Sequence, residues 1–135
     1  MNFGRLGALF GRLGSRGAGA SRPSAPVLAM DPAWISSDNT PDFTIDVDET
    51  VTAGDAVTLQ VQASGGNWSS LVVNSAHTIT SGEDSANQVD LATGAIAGGS
   101  YEARAKVHHN SDSAWSNTVS FTITATASTF YILGF

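Results

Sequence analysis

From Gly98 to Thr124 apolar and polar residues alternate, and this stretch predicts two antiparallel strands joined by a short polar loop. In Tyr101-Glu102-Ala103-Arg104-Ala105-Lys106-Val107 the odd positions are apolar and the even ones charged. Side chains of a strand point alternately to its two faces, so Tyr101, Ala103, Ala105 and Val107 form a buried face and Glu102, Arg104 and Lys106 face water. Asn110-Ser111-Asp112-Ser113 supplies turn formers. Beyond it Trp115, Val119, Phe121 and Ile123 share the inward phase with Ser116, Thr118, Ser120, Thr122 and Thr124 between them, which predicts a core tryptophan at 115.

The same period recurs upstream. Val27 to Met30 predicts a first strand, ended by Asp31-Pro32, and Trp34 with Ile35 is expected to cover one end of the core. After the turn cluster Ser36 to Pro41, a second strand holds Phe43, Ile45 and Val47, and a third holds Val57, Leu59 and Val61. Trp68 to Val73 predicts a fourth, His77 to Thr80 a short piece, and Val89 with Leu91 another short strand. About seven short strands separated by turn signals predict an all-β fold, a β-sandwich.

Four stretches carry a resemblance to a known family. Ser37-Asp38-Asn39-Thr40-Pro41-Asp42-Phe43-Thr44-Ile45 with Ala53-Gly54-Asp55-Ala56-Val57-Thr58-Leu59 resembles the opening of bacterial immunoglobulin-like modules. Gly99-Ser100-Tyr101 and Ser113-Ala114-Trp115-Ser116-Asn117 resemble the last two strands of those modules and of fibronectin type III domains. The resemblance covers about residues 27–126, departs from the pattern between Gly65 and Asn87, and implies an immunoglobulin-like β-sandwich. It implies little about function, because such modules serve as spacers and binders alike.

The flanks read differently, and the chain divides into an arm and linker at 1–25, a sandwich at 26–127 and an apolar segment at 128–135. Phe3-Gly4-Arg5-Leu6-Gly7 recurs as Phe10-Gly11-Arg12-Leu13-Gly14. The glycines disfavour an isolated helix, each by about 0.8–1 kcal/mol relative to Ala. A flexible tether is one reading of this extended N-terminal arm, and a signal peptide ending at Ala18-Gly19-Ala20 is another, although Arg12 and Arg16 interrupt its apolar run. The third reading is an anchor, in which Phe3, Leu6, Phe10 and Leu13 bury against a partner while Arg5 and Arg12 meet carboxylates. At the other end Phe130, Tyr131, Ile132, Leu133 and Phe135 form an apolar stretch of the kind that marks a contact site.

Charge sharpens this division. The chain has 135 residues and a formal net charge of −6, yet its first acidic residue is Asp31, after Arg5, Arg12, Arg16 and Arg22. A basic arm before an acidic body suggests contact with acidic protein surface, on a neighbouring copy or another protein, and argues against nucleic acid. No apolar run approaches the ~20 residues of a membrane-spanning helix, and there is no cysteine for a disulfide or thiolate site.

Candidate chemistry is sparse. Asp46, Asp48 and Glu49 offer oxygen ligands of the kind calcium takes, but solvated acids on an outer face explain them equally well. His108 and His109 are adjacent on a strand and point to opposite faces, so they do not share a metal. His77 has no ligand spacing to either. Gly82-Glu83-Asp84-Ser85 lacks the Gly-x-Ser-x-Gly elbow of a nucleophilic serine. Trp34, Trp68 and Trp115 raise a glycan platform as a further reading. Neither catalysis nor a cofactor or metal is expected. The sticky flanks suggest a structural protein of a tailed-phage virion, as fibre, tail-tip or capsid decoration subunit, oligomeric and bound to other virion proteins. The rival is a secreted or cell-surface adhesive module that binds host glycan or protein.

Overall fold

A computed structural model describes residues 22–124. Strands Val27–Met30 (β1), Asp42–Asp46 (β2), Ala56–Ala63 (β3), Leu71–Thr78 (β4), Gln88–Ala92 (β5), Gly99–His109 (β6) and Val119–Ile123 (β8) make two antiparallel sheets. One is ordered β1-β2-β5 and the other β4-β3-β6-β8, with the two-residue β7 (Ser111–Asp112) folded back on the end of β6. The expected all-β sandwich is therefore what the chain forms. The division proposed at 1–25 and 128–135 lies outside the described residues except at Arg22 to Ala25.

The buried face follows from the alternation. Val57, Leu59 and Val61 of β3 stand opposite Val107, Ala105 and Ala103 of β6, and all six are buried. Phe43 and Ile45 of β2 meet them from the other sheet. Phe121 lies where the sheets close at one end, with Phe43, Tyr101 and Trp34 at ring-centroid distances of 5.5, 5.7 and 5.9 Å. Trp34 thus covers the core end as expected, whereas Ile35 is exposed.

Three local readings need correction. The fourth strand starts at Leu71 and runs unbroken through His77 to Thr78. Trp68 falls in the preceding turn with φ 65°, after the Gly65-Gly66-Asn67 break. A six-residue helix, Ser81–Ala86 (α1), occupies a stretch for which no element was expected. Its signal is the capping box Thr80-x-x-Glu83: the Glu83 N–H donates to Thr80 Oγ1, and the Thr80 N–H to Glu83 Oε1.

Trp115 is the third correction, because it points outward. Ser113 and Ser116 take the inward positions instead, and both are buried. The Ser113 N–H donates to the Val107 carbonyl and Ser113 Oγ accepts from the Val107 N–H; Ser116 does the same for Ala105. Three residues of this segment are set against two of β6, as in a bulge. The phase inferred from Val119, Phe121 and Ile123 is therefore lost before Val119.

Asn117 then ties the sheets together. Its Oδ1 accepts from the Leu28 N–H at 2.9 Å and its Nδ2 donates to the Leu28 carbonyl at 2.8 Å. The free edge of β1 is thereby capped, and Pro26 just before it has no N–H to offer.

The chain enters and leaves the sandwich at opposite poles. Arg22 Nε donates to the Asp112 carbonyl beside the end of β6. At the other end Ile123 pairs with Gly99, and the Thr124 N–H donates to the Ser36 carbonyl. The eleven residues of β6 separate these poles, roughly 33 Å at the usual strand rise.

Candidate interaction surface

The outer face of the β4-β3-β6 sheet gathers residues that the sequence leaves scattered. Arg104 lies in the middle of β6, opposite Gln60 of β3. Its Nε and Nη2 both donate to Gln60 Oε1, at 3.0 and 2.9 Å. The guanidinium lies 4.3 Å from the Trp68 ring centroid and 3.8 Å from that of Trp115, and Lys106 Nζ lies 4.9 Å from Trp115. Burial lowers the Arg104 pKa from its ordinary value, but a guanidinium starts so high that it stays cationic.

Gln62 positions Trp68. It is the one fully buried polar residue of β3, donating to Glu102 Oε2 at 2.9 Å and accepting the Trp68 N–H at Oε1. Gly66 makes this approach feasible: a Cβ there would stand 2.8 Å from Gln62 Oε1. Trp115 is held on the opposite side by the serine-anchored segment. The result is a rigid strip of indole and guanidinium surface.

Its neighbours are equally tied down. Asp112 accepts from Lys106 at 2.9 Å and contacts His108 at 2.8 Å, and these two bonds keep its carboxyl below the usual range. His109, on the inner face, contacts Asp55 at 2.7 Å, and His77 contacts Glu83 at 2.8 Å. Burial raises the pKa of Asp55 and Glu83, but the N–H groups of Thr52 and Thr80 and the two imidazoles outweigh it, so both end lowered. The adjacent histidines do point to opposite faces, and each contacts a carboxylate of its own.

No protein-family model and no curated protein matches this sequence. The opposite sheet face carries Asp42, Asp46 and Asp90 on neighbouring strands. Burial, together with Asp31, Asp90 and Asp38, raises the pKa of Asp42.

Of the acids weighed as calcium ligands, Asp46 and Asp48 are engaged by the protein itself. Asp46 accepts from Gln88 at 2.7 Å, and Asp48 from the N–H groups of Ser24 and Thr50 at 2.9 and 3.1 Å. Both border an open depression with Glu49, but among the described residues no three His, Cys, Asp or Glu side chains converge on a metal position. The three tryptophans do not form one platform: Trp34 is at the core end, donating from Nε1 to the Asp38 carbonyl, and Trp68 and Trp115 flank Arg104. The expected contact residues Phe3, Arg5, Leu6, Phe10, Arg12, Leu13, Phe130, Tyr131, Ile132, Leu133 and Phe135 lie outside the described residues. The Trp68–Arg104–Trp115 strip was missed because it depends on a turn and a bulge that break the period of two.

Proposed function

We propose that this chain is a non-enzymatic structural subunit of a larger assembly, attached through the arm at 1–25 and the apolar segment at 128–135, with a tailed-phage virion as its setting. The observation that carries the reading is the polar placement of the two points where the chain enters and leaves the sandwich. A body that its attachment segments join at opposite poles suits a spacer or link between neighbours. The strand order β1-β2-β5 over β4-β3-β6-β8 supports the resemblance to immunoglobulin-like and fibronectin type III modules, which are built from two such antiparallel sheets.

The adhesive alternative gains less support. A sugar ring would stack on an indole face, and Arg104 fills the faces that Trp68 and Trp115 turn toward each other. Immunoblotting and mass spectrometry of particles purified from the source test the reading. The full chain is expected in the particles, and a chain lacking residues 1–21 is expected to fold but not to be incorporated. Recovery of the full chain only from the cell surface or medium would favour the adhesive module instead.

A further inference from the structure

We propose that the free edge of β4 accepts, as an added strand, the segment 128–135 of a second copy of this chain. The inference rests on the reading of the terminal segments as attachment elements and names what one of them binds. The two sheets end in edge strands that are managed very differently. On β1 the side chain of Asn117 occupies both outward groups of Leu28. On β4, which pairs with β3 alone, no hydrogen bond among the described residues reaches the other edge. An open edge of unpaired N–H and C=O groups is a template for another strand, and proteins ordinarily blunt it with lysine, proline or a short length. None of these applies here: β4 is eight residues long, Leu71-Val72-Val73-Asn74-Ser75-Ala76-His77-Thr78, without proline or a Lys, Arg, Asp or Glu side chain, and its one irregularity, a bulge at Val72, lies near its start and leaves Val73 to Thr78 in regular register.

The edge is also incompletely covered. Val72 is 50% exposed. Val73 shares the inner face with Val61 of β3 but is only half-buried, because the three-stranded sheet opposite is narrower than the four-stranded one. An added strand would need apolar side chains to finish this seam. The segment 128–135 matches β4 in length, and of its apolar residues Phe130, Tyr131, Ile132, Leu133 and Phe135 all but Leu133 are of types favoured in strands. Alternation places Phe130 and Ile132 on one face of it and Tyr131, Leu133 and Phe135 on the other, so either orientation offers an apolar face to the seam.

A second copy fits better than the same chain as donor. Three strand spacings, about 14 Å, separate β8 from β4. The link from Thr124 to Ser128 reaches roughly 14 Å fully extended, which suffices only along a straight line through β6 and β3 and not over their side chains. Donation from copy to copy is a heterologous contact, which builds an open row or a closed ring.

The absence of cysteine gives a clean test on the full chain. Asn74→Cys and Ile132→Cys proteins are mixed and oxidised, with Phe130→Cys and Leu133→Cys covering neighbouring registers. A heterodisulfide between β4 and the C-terminal segment is expected as the dominant product, and Ala29→Cys on β1 should yield none with the same partners. Val72→Lys with Asn74→Lys should abolish self-association by light scattering and leave the melting temperature unchanged. Self-association without the heterodisulfide would overturn the strand pairing and leave attachment by the terminal segments standing. A monomeric intramolecular disulfide in the Asn74→Cys, Ile132→Cys double variant would overturn the second copy as donor. A chain monomeric at all concentrations would overturn the proposal, and its presence or absence in purified particles would decide the broader reading separately.

Discussion

Replacing Phe121 by alanine should unfold the sandwich from its closed end. The ring is 7% exposed and touches Trp34, Phe43 and Tyr101, one from each wall of that end of the core. Truncation of a buried phenylalanine costs about 3–5 kcal/mol, combining lost transfer energy with the cavity left behind. For a body of this size that corresponds to a fall in Tm of roughly 12–25 °C. Phe121→Leu separates the contributions: it keeps most of the apolar volume and loses the ring–ring geometry, whose pairs contribute about 0.5–1.5 kcal/mol each and not additively, so a loss of about 1–2 kcal/mol is expected. Thr122→Ala, on the exposed side of the same strand, should stay within about 0.5 kcal/mol. Urea denaturation followed by tryptophan fluorescence measures all three, with Trp34 reporting directly on the contact. Equal losses for Phe121→Ala and Thr122→Ala would refute the strand phase. A leucine variant as unstable as the alanine one would refute the aromatic packing.

Other outcomes follow from single contacts. Asn117→Ala should cost about 1–3 kcal/mol in the same denaturation assay, since it removes two hydrogen bonds and uncaps Leu28. Arg104→Ala should lower stability by about 1–3 kcal/mol and alter the emission of Trp68 and Trp115, and Arg104→Lys should restore only part of it, lacking the planar group that stacks on both indoles. The lowered pKa values of Asp55, Glu83 and Asp112 fix a sign: their contribution is fully present above the ordinary carboxylate range and is lost as pH falls through the folded-state values, so thermal melts should show stability declining below about pH 4.5. Asp42 has the opposite sign, its pKa being raised. Asp42→Asn should therefore raise Tm at pH 7, with the gain disappearing in acid.

Much of the sandwich was legible because one face of each long strand is buried and the other is not. The inward sets of β2, β3 and β6 could be read directly from residues such as Phe43, Leu59 and Val107. Legibility failed where side chains replace the ladder. Ser113 and Ser116 hold β6 with their hydroxyls and shift the phase, which sends Trp115 outward. Trp68 owes its position to a left-handed turn and to a buried amide on Gln62, neither of which has a hydrophobic period. Helix α1 left a capping box in the sequence but has no buried residue to give it an amphipathic stripe. β4 hides its length because only its inner face meets the core, and Ser75 and His77 stand where a central strand would place apolar groups.

The opposite placement of the points where the chain enters and leaves has a mechanical meaning. Tension applied through the two flanking segments runs nearly parallel to the strands. It loads the β1–β2 and β6–β8 ladders in shear, so that their hydrogen bonds are stressed together rather than opened one after another. The Asn117 clamp lies across the same path, joining the first strand to the segment that leads into the last. A subunit wired in this way resists stretching along its long axis and yields more readily to a force that peels a single edge.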